Sequence, residues 1–84
     1  MLALTRTQQQ VIELLATHLY LEVPSTETDL LGSGLLDSLG LVELLALLEQ
    51  QFDVEISLDE LELDHFRTVR SIAAFITSRE ALAA

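Results

Sequence analysis

Cysteine and lysine are both absent from this 84-residue chain. Without cysteine no disulfide can form and no thiolate metal site can be built, a composition compatible with a reducing compartment. Without lysine, four arginines stand against fourteen carboxylates, and the formal charge is −10. Nucleic acids and anionic membrane surfaces are bound by neutralising their charge with cations, so neither is an expected partner, whereas proteins with basic patches are. Aromatic residues make up only 5% of the chain. High charge with few aromatics can mark disorder, but a mean hydropathy of +0.42 points to a folded chain. Long apolar runs are missing too: the longest stretch, residues 35–48, is broken by Asp37, Ser38 and Glu43. It falls short of the ~20 apolar residues of a membrane span. The opening MLALTRTQQQ has a four-residue apolar start and then turns polar, unlike a secretory signal. A soluble, cytoplasmic monomer is expected.

What the chain does have is leucine, 20 of 84 residues, with half of all residues hydrophobic. That composition favours helix over sheet. A chain this short makes one domain, residues 1–84, around one small core. Such a core leaves no room for a deep cleft with its own substrate lobe, so catalysis by the chain itself is not expected.

The apolar spacing predicts where the helices lie. Val11, Leu14, Leu15 and Leu19 define a helix over about 5–20, opened by a Thr5–Gln8 capping box. Residues 21–37 carry the single proline, Pro24, with Gly32, Gly34 and several short polar side chains. This is a loop long enough to suggest function, with Leu30, Leu31, Leu35 and Leu36 expected to pin it to the core. Leu41, Leu44, Leu45, Leu48 and Phe52 form the buried stripe of a helix over 38–52. Val54 and Ile56 lie in an extended connector. Ser57 and Glu60 suggest a second capping box, opening a short helix over 58–64. Thr68 caps a last helix over 69–80, with Val69, Ile72, Ala73 and Ile76 inward and a frayed tail after it. Three long helices and one short one predict an all-α fold, a small four-helix bundle.

One serine stands out, in GLLDSLGLVELL at residues 34–45. Asp37 suits the N-cap of the 38–52 helix, which puts Ser38 at its first helical position, beside unpaired backbone donors and the positive end of the helix dipole. A phosphate ester on its hydroxyl would meet a favourable field there, worth about 0.3–1 kcal/mol. Plain capping chemistry accounts for these two residues equally well. A self-activated nucleophile does not: Leu36 stands where a G-x-S-x-G elbow needs glycine, and no pattern brings His18 or His65 to Ser38. No catalytic residue is therefore expected. Asp59, Glu60, Glu62 and Asp64 are dense but lack the ligand spacing and turn glycine of a calcium loop, so no metal is expected either.

Projected at about 100° per residue, the 38–52 helix turns Leu39, Val42, Glu43, Ala46, Gln50 and Asp53 away from its buried stripe, with Glu49 at the margin and Leu47 on the flank. Leu39 and Val42 do not suit a plain solvated face. Beside the serine they predict a docking surface, with carboxylates to steer basic partners.

Asp37-Ser38-Leu39, the following Val42-Glu43-Leu44, LEQQFDVEIS at 48–57 and FRTVRSIAAFI at 66–76 occur in an order that resembles an acyl carrier protein. The resemblance covers nearly all of the chain beyond the first helix. It implies that Ser38 receives 4′-phosphopantetheine from coenzyme A through a Mg²⁺-dependent phosphopantetheinyl transferase, and that the thiol of this arm holds acyl groups as thioesters. It implies that Asp37 and Leu39 help the transferase recognise the serine. The docking residues would then be Leu39, Val42, Glu43, Ala46 and Glu49, with Glu43 and Glu49 meeting basic residues on partners. Those partners would be the transferase, an acyl- or aminoacyl-loading enzyme, and downstream acyl-accepting enzymes. Two departures bear on subtype. Gly40 stands where fatty-acid carriers commonly have an acidic residue, and their acidic run is thinned here to Glu49-Gln50-Gln51. The stretch G-S-G-L-L-D-S is more similar to discrete carriers of polyketide, nonribosomal-peptide or aminoacyl pathways, D-alanyl carrier proteins among them. A carrier of primary fatty-acid synthesis is the alternative within the family. An unmodified helical adaptor is the alternative outside it.

Overall fold

The computed structural model of the protein describes residues 4–56 and 62–83, the last three of these by their backbone alone. Thr5 opens the first helix as its capping box predicts. Its Oγ1 accepts the Gln8 N–H at 3.0 Å, and Gln8 Oε1 accepts the Thr5 N–H at 3.1 Å. Two first-turn donors are thus satisfied reciprocally. Helix α1 runs Arg6–His18 and buries Val11, Leu14 and Leu15. It ends two residues before the expected boundary. The N–H groups of Leu19 and Leu21 both donate to the Leu15 carbonyl, at 3.1 and 3.0 Å. Between them Tyr20 is turned into the left-handed region at φ +57°, where the helix cannot continue. Leu19, expected on the inner face, is half-buried as a result.

Helix α2 spans Ser38–Phe52, the bounds its sequence predicts, and buries Leu41, Leu44, Leu45 and Leu48. Asp53 ends it in the left-handed region at φ 53°. Phe52 is half-buried against the core, and residues 54–56 are extended with Val54 inward. The capping box expected at Ser57 and Glu60, with most of the expected 58–64 helix, lies outside the described residues. The described short element is a 3₁₀ turn, Leu63–Phe66, which begins at the end of that expected helix and runs two residues past it. Helix α3, Val69–Ala83, continues through the tail that was expected to fray. Thr68 opens it: its Oγ1 accepts the Ser71 N–H at 3.0 Å, while Ser71 Oγ accepts the Thr68 N–H at 3.1 Å. The chain is all-helical among the described residues, and its elements form a small bundle of the acyl-carrier type.

Helices α1 and α3 pack directly on each other, and the leucines of α2 reach the core they share. Val69, Ile72, Ala73 and Ile76 are all buried, as their spacing requires, and Phe66 fills the space between α3 and the loop side. The core is apolar throughout: no buried polar or charged residue occurs among the described residues. No helix among them is long and apolar enough to cross a membrane.

The long loop, residues 19–37, is held at both ends and in its middle. Leu30 is fully buried and Leu36 nearly so, while Leu31 is half-buried. Leu35, expected to help pin the loop, instead faces outward at 38% exposure. The cause is the turn before it. Gly34 sits at φ +83°, which only glycine adopts freely, and the chain reverses so that Leu36 N–H reaches the Leu30 carbonyl at 2.9 Å. That reversal sends Leu36 into the core and Leu35 out of it. Across the molecule, Leu30 N–H donates to the Arg67 carbonyl at 2.6 Å and Arg70 N–H to the Thr26 carbonyl at 3.1 Å. Arg70 also pairs with Glu27 at 3.3 Å.

Candidate functional site

The loop delivers the chain to α2 with Asp37 as its cap. Asp37 is extended, and its Oδ1 accepts the Gly40 N–H at 2.7 Å while its carbonyl accepts the Leu41 N–H at 2.8 Å. Ser38 is therefore the first residue of α2, exposed, with the free donors of the first turn beside it. Gly40 has a local reason as well. A Cβ there would sit 3.0 Å from Leu36 Cδ1 and 3.2 Å from Asp37 Oδ1, crowding the cap and the buried leucine behind it. A carboxylate at position 40 would add like charge to that crowding.

Ser38 opens onto a groove of about 580 Å³. One wall is the loop through Leu31, Gly32, Gly34 and Leu36; the floor is Leu41, and the far wall is Leu63 and Arg67. On the loop wall the Gly32 N–H donates to Asp29 Oδ1 at 2.8 Å, and a Cβ at position 32 would press on that carboxylate and turn it aside. Arg67 carries two carboxylates, with Nε donating to Asp64 at 2.9 Å and Nη1 at 3.5 Å from Asp29. The hydrogen bond with Asp64 first, and the charge of Asp29 next, hold its pKa above the usual arginine value. Sequence reasoning did not find this groove. Residues 29, 37 and 67 are far apart in the chain, and no periodicity relates them.

Neither histidine is among the residues lining the groove at the serine. His18 is in the last turn of α1 and shares a separate cleft with Gln51, near the other end of α2. That is roughly 20 Å along the helix from Ser38, at 1.5 Å per residue. His65 stacks on Phe75, ring centroids 5.1 Å apart, and is not among the residues lining the Ser38 groove. Among the described residues no cluster of three or more histidine or carboxylate side chains could hold a metal.

Outside the groove, the outer face of α2 is as the projection predicts. Leu39 is 69% exposed and Val42 59%, with Glu43, Ala46, Gln50 and Asp53 exposed beyond them. Leu47 packs against the core. Glu49 is half-buried, and its Oε2 accepts the Ile56 N–H at 3.1 Å, so its carboxylate also closes the connector after α2.

Residues 9–76 match the family model described as the phosphopantetheine attachment site. The chain belongs to this family of carrier proteins, which hold 4′-phosphopantetheine covalently on a serine. The D-alanyl carrier proteins of Streptococcus sanguinis (strain SK36) and Streptococcus gordonii (strain Challis) are each 36% identical to it over 70 residues, covering 81% of this chain and 87% of the relative. That of Streptococcus thermophilus (strain LMD-9) matches to the same extent. With family membership established, the chain is a phosphopantetheine carrier, and the resemblance drawn from its serine motif and last helix is borne out.

Proposed function

We propose that Ser38 is the attachment serine, and that residues 1–84 act as one carrier domain passing an activated acyl or aminoacyl group between enzymes. The observation that carries this reading is the placement of Ser38. It is exposed at the first position of a capped helix, at the mouth of a groove that leads off its hydroxyl. The residues around it suit the group. A phosphodiester on Oγ would lie at the positive end of α2.

In the attachment step Ser38 Oγ bonds to the β-phosphorus of coenzyme A. Adenosine 3′,5′-bisphosphate leaves, and the hydroxyl proton passes to a base on the transferase. Among the described residues no histidine lines the groove at Ser38, so on this reading the activation belongs to the transferase, and the carrier runs no reaction of its own. The attached arm supplies the thiol that a chain without cysteine lacks, and cargo is held there as a thioester. Asp37 keeps the serine at the helix start, and Leu39 beside it offers the transferase an apolar contact. Leu39, Val42 and Ala46 form the contact surface for partners, with Glu43 steering their basic patches and Glu49 at its edge. The partners are the transferase, a loading enzyme and an accepting enzyme, met by a cytoplasmic monomer.

The relatives named for D-alanine favour an aminoacyl cargo, and D-alanine is the first to try. Polyketide and nonribosomal-peptide carriers share the discrete form, and a primary fatty-acid carrier remains the alternative that Gly40 disfavours.

Intact mass after incubation with coenzyme A and a broad-specificity transferase tests the attachment. The chain should gain one phosphopantetheine and Ser38→Ala none; an unchanged native mass points instead to an unmodified adaptor. Incubating the loaded form with D-alanine, other amino acids or acyl acids, ATP and the cognate ligase then identifies the cargo.

A further inference from the structure

The groove beside Ser38 has a charge pattern that the outer face of α2 lacks. Leucines line it on three sides, and Arg67 is the only cation among its lining residues. Arg67 is anchored from its backbone outward. Its carbonyl accepts the N–H of buried Leu30 at 2.6 Å, which ties the far wall of the groove to the centre of the loop. Its side chain stays 45% exposed. A guanidinium has five N–H donors in a rigid fork. The Asp64 bond uses Nε and the Asp29 pair faces Nη1, and neither pair engages Nη2. Both carboxylates are themselves well exposed, at 85% and 50%, and ion pairs of that kind hold their partners weakly.

A 4′-phosphopantetheine arm is complementary to this arrangement. It carries a phosphodiester, a pair of geminal methyl groups close behind it, then a hydroxyl and two amides, and no cation. Its phosphate adds negative charge next to Asp37 in a chain already at −10, and Arg67 is the groove cation that can face it, in competition with Asp29 and Asp64.

We propose that Arg67 binds the arm in this groove, donating hydrogen bonds to its oxygen acceptors while Leu41 and Leu63 receive its methyl groups. The inference rests on Ser38 being the attachment site. It means that between encounters the arm lies along the wall made by Leu63 and Arg67, and that a partner must draw it out.

The test compares apo and loaded ¹⁵N,¹³C-labelled protein, with loading verified by intact mass. Loading should shift the Arg67 Nε–Hε signal and the Leu63 and Gly34 amides. It should also give nuclear Overhauser contacts between the geminal methyls and the Leu63 side chain. In R67Q, loaded to the same mass, those contacts should disappear and the arm's signals should narrow toward those of free phosphopantetheine. R67K, which keeps the charge without the fork, should recover part of the contacts. Loaded native protein whose Arg67 and Leu63 signals match the apo form overturns the inference and leaves Ser38 attachment standing. A chain that gains no mass overturns both. If R67Q loses its dispersed amide spectrum, the native apo-to-loaded comparison decides by itself.

Discussion

Both faces of α2 carry large apolar side chains, in opposite surroundings. Leu44 and Leu48 on the inner face are fully buried, whereas Leu39 and Val42, on the same helix, are 69% and 59% exposed. Burial of a leucine side chain stabilises a fold by about 1.5–3 kcal/mol, so the inner face holds the bundle together. The outer pair contributes little to that sum. Its apolar surface is left in water at the end of the helix that carries Ser38, where a partner would have to bind. The difference teaches that hydrophobicity alone does not assign a residue to the core: rotation about the helix axis does. Substitutions at four positions probe this division.

The largest effect should come from the inner face. Leu44→Ala opens a cavity in the fully buried centre and should cost about 2–5 kcal/mol in chemical denaturation. A cost below about 1 kcal/mol would mean that the stripe is not the principal source of stability. Glu43→Arg, on the outer face, should slow loading by the transferase roughly tenfold, equivalent to about 1.4 kcal/mol, with helicity unchanged. Loading at the native rate would remove Glu43 from the docking surface. Asp37→Ala loses the bond to Gly40 N–H and should cost about 1 kcal/mol of stability. Asp37→Asn keeps an acceptor, so it should retain stability while reporting on the charge in loading. The smallest change in stability is expected for Leu39→Ser, within about 0.5 kcal/mol of the native protein in thermal melts. Its loading should nonetheless fall a few-fold. A melt lowered as far as that of Leu44→Ala would erase the distinction between the faces.

Much of the fold was legible because local chemistry and core packing agree. Thr5, Asp37 and Thr68 each announce a helix start by a side chain that accepts a backbone N–H, and all three make that bond. Helix α2 matches its predicted bounds because its cap, its stripe and its phenylalanine end coincide. The end of α1 was less legible, since Leu19 and Tyr20 continue an apolar pattern that the Leu15 carbonyl interrupts. Leu35 and Leu36 are indistinguishable by type, and only the turn at Gly34 decides which of them enters the core. Of the candidate site, the position of Ser38 at the helix start and the exposed pair followed from helical geometry, while the role expected of Ser38 came from the resemblance to acyl carrier proteins. The second bond of Glu49, to Ile56, and the groove wall at Arg67 depend on contacts made after the chain has folded. Nothing in their neighbours along the sequence signals those contacts.

The positions of the two histidines have a chemical consequence for a carrier. A thioester is an electrophile, and lysine amines, cysteine thiolates and neutral imidazoles are the side chains that discharge one. This chain has no lysine and no cysteine. His18 lies toward the far end of α2, and His65 is stacked against Phe75. On the carrier reading, the groove at the attachment point is lined by leucines, glycines, Asp37 and Arg67, none of which discharges a thioester readily. The cargo then meets no lysine or cysteine of its own chain, and water and the enzymes that collect it set most of its lifetime.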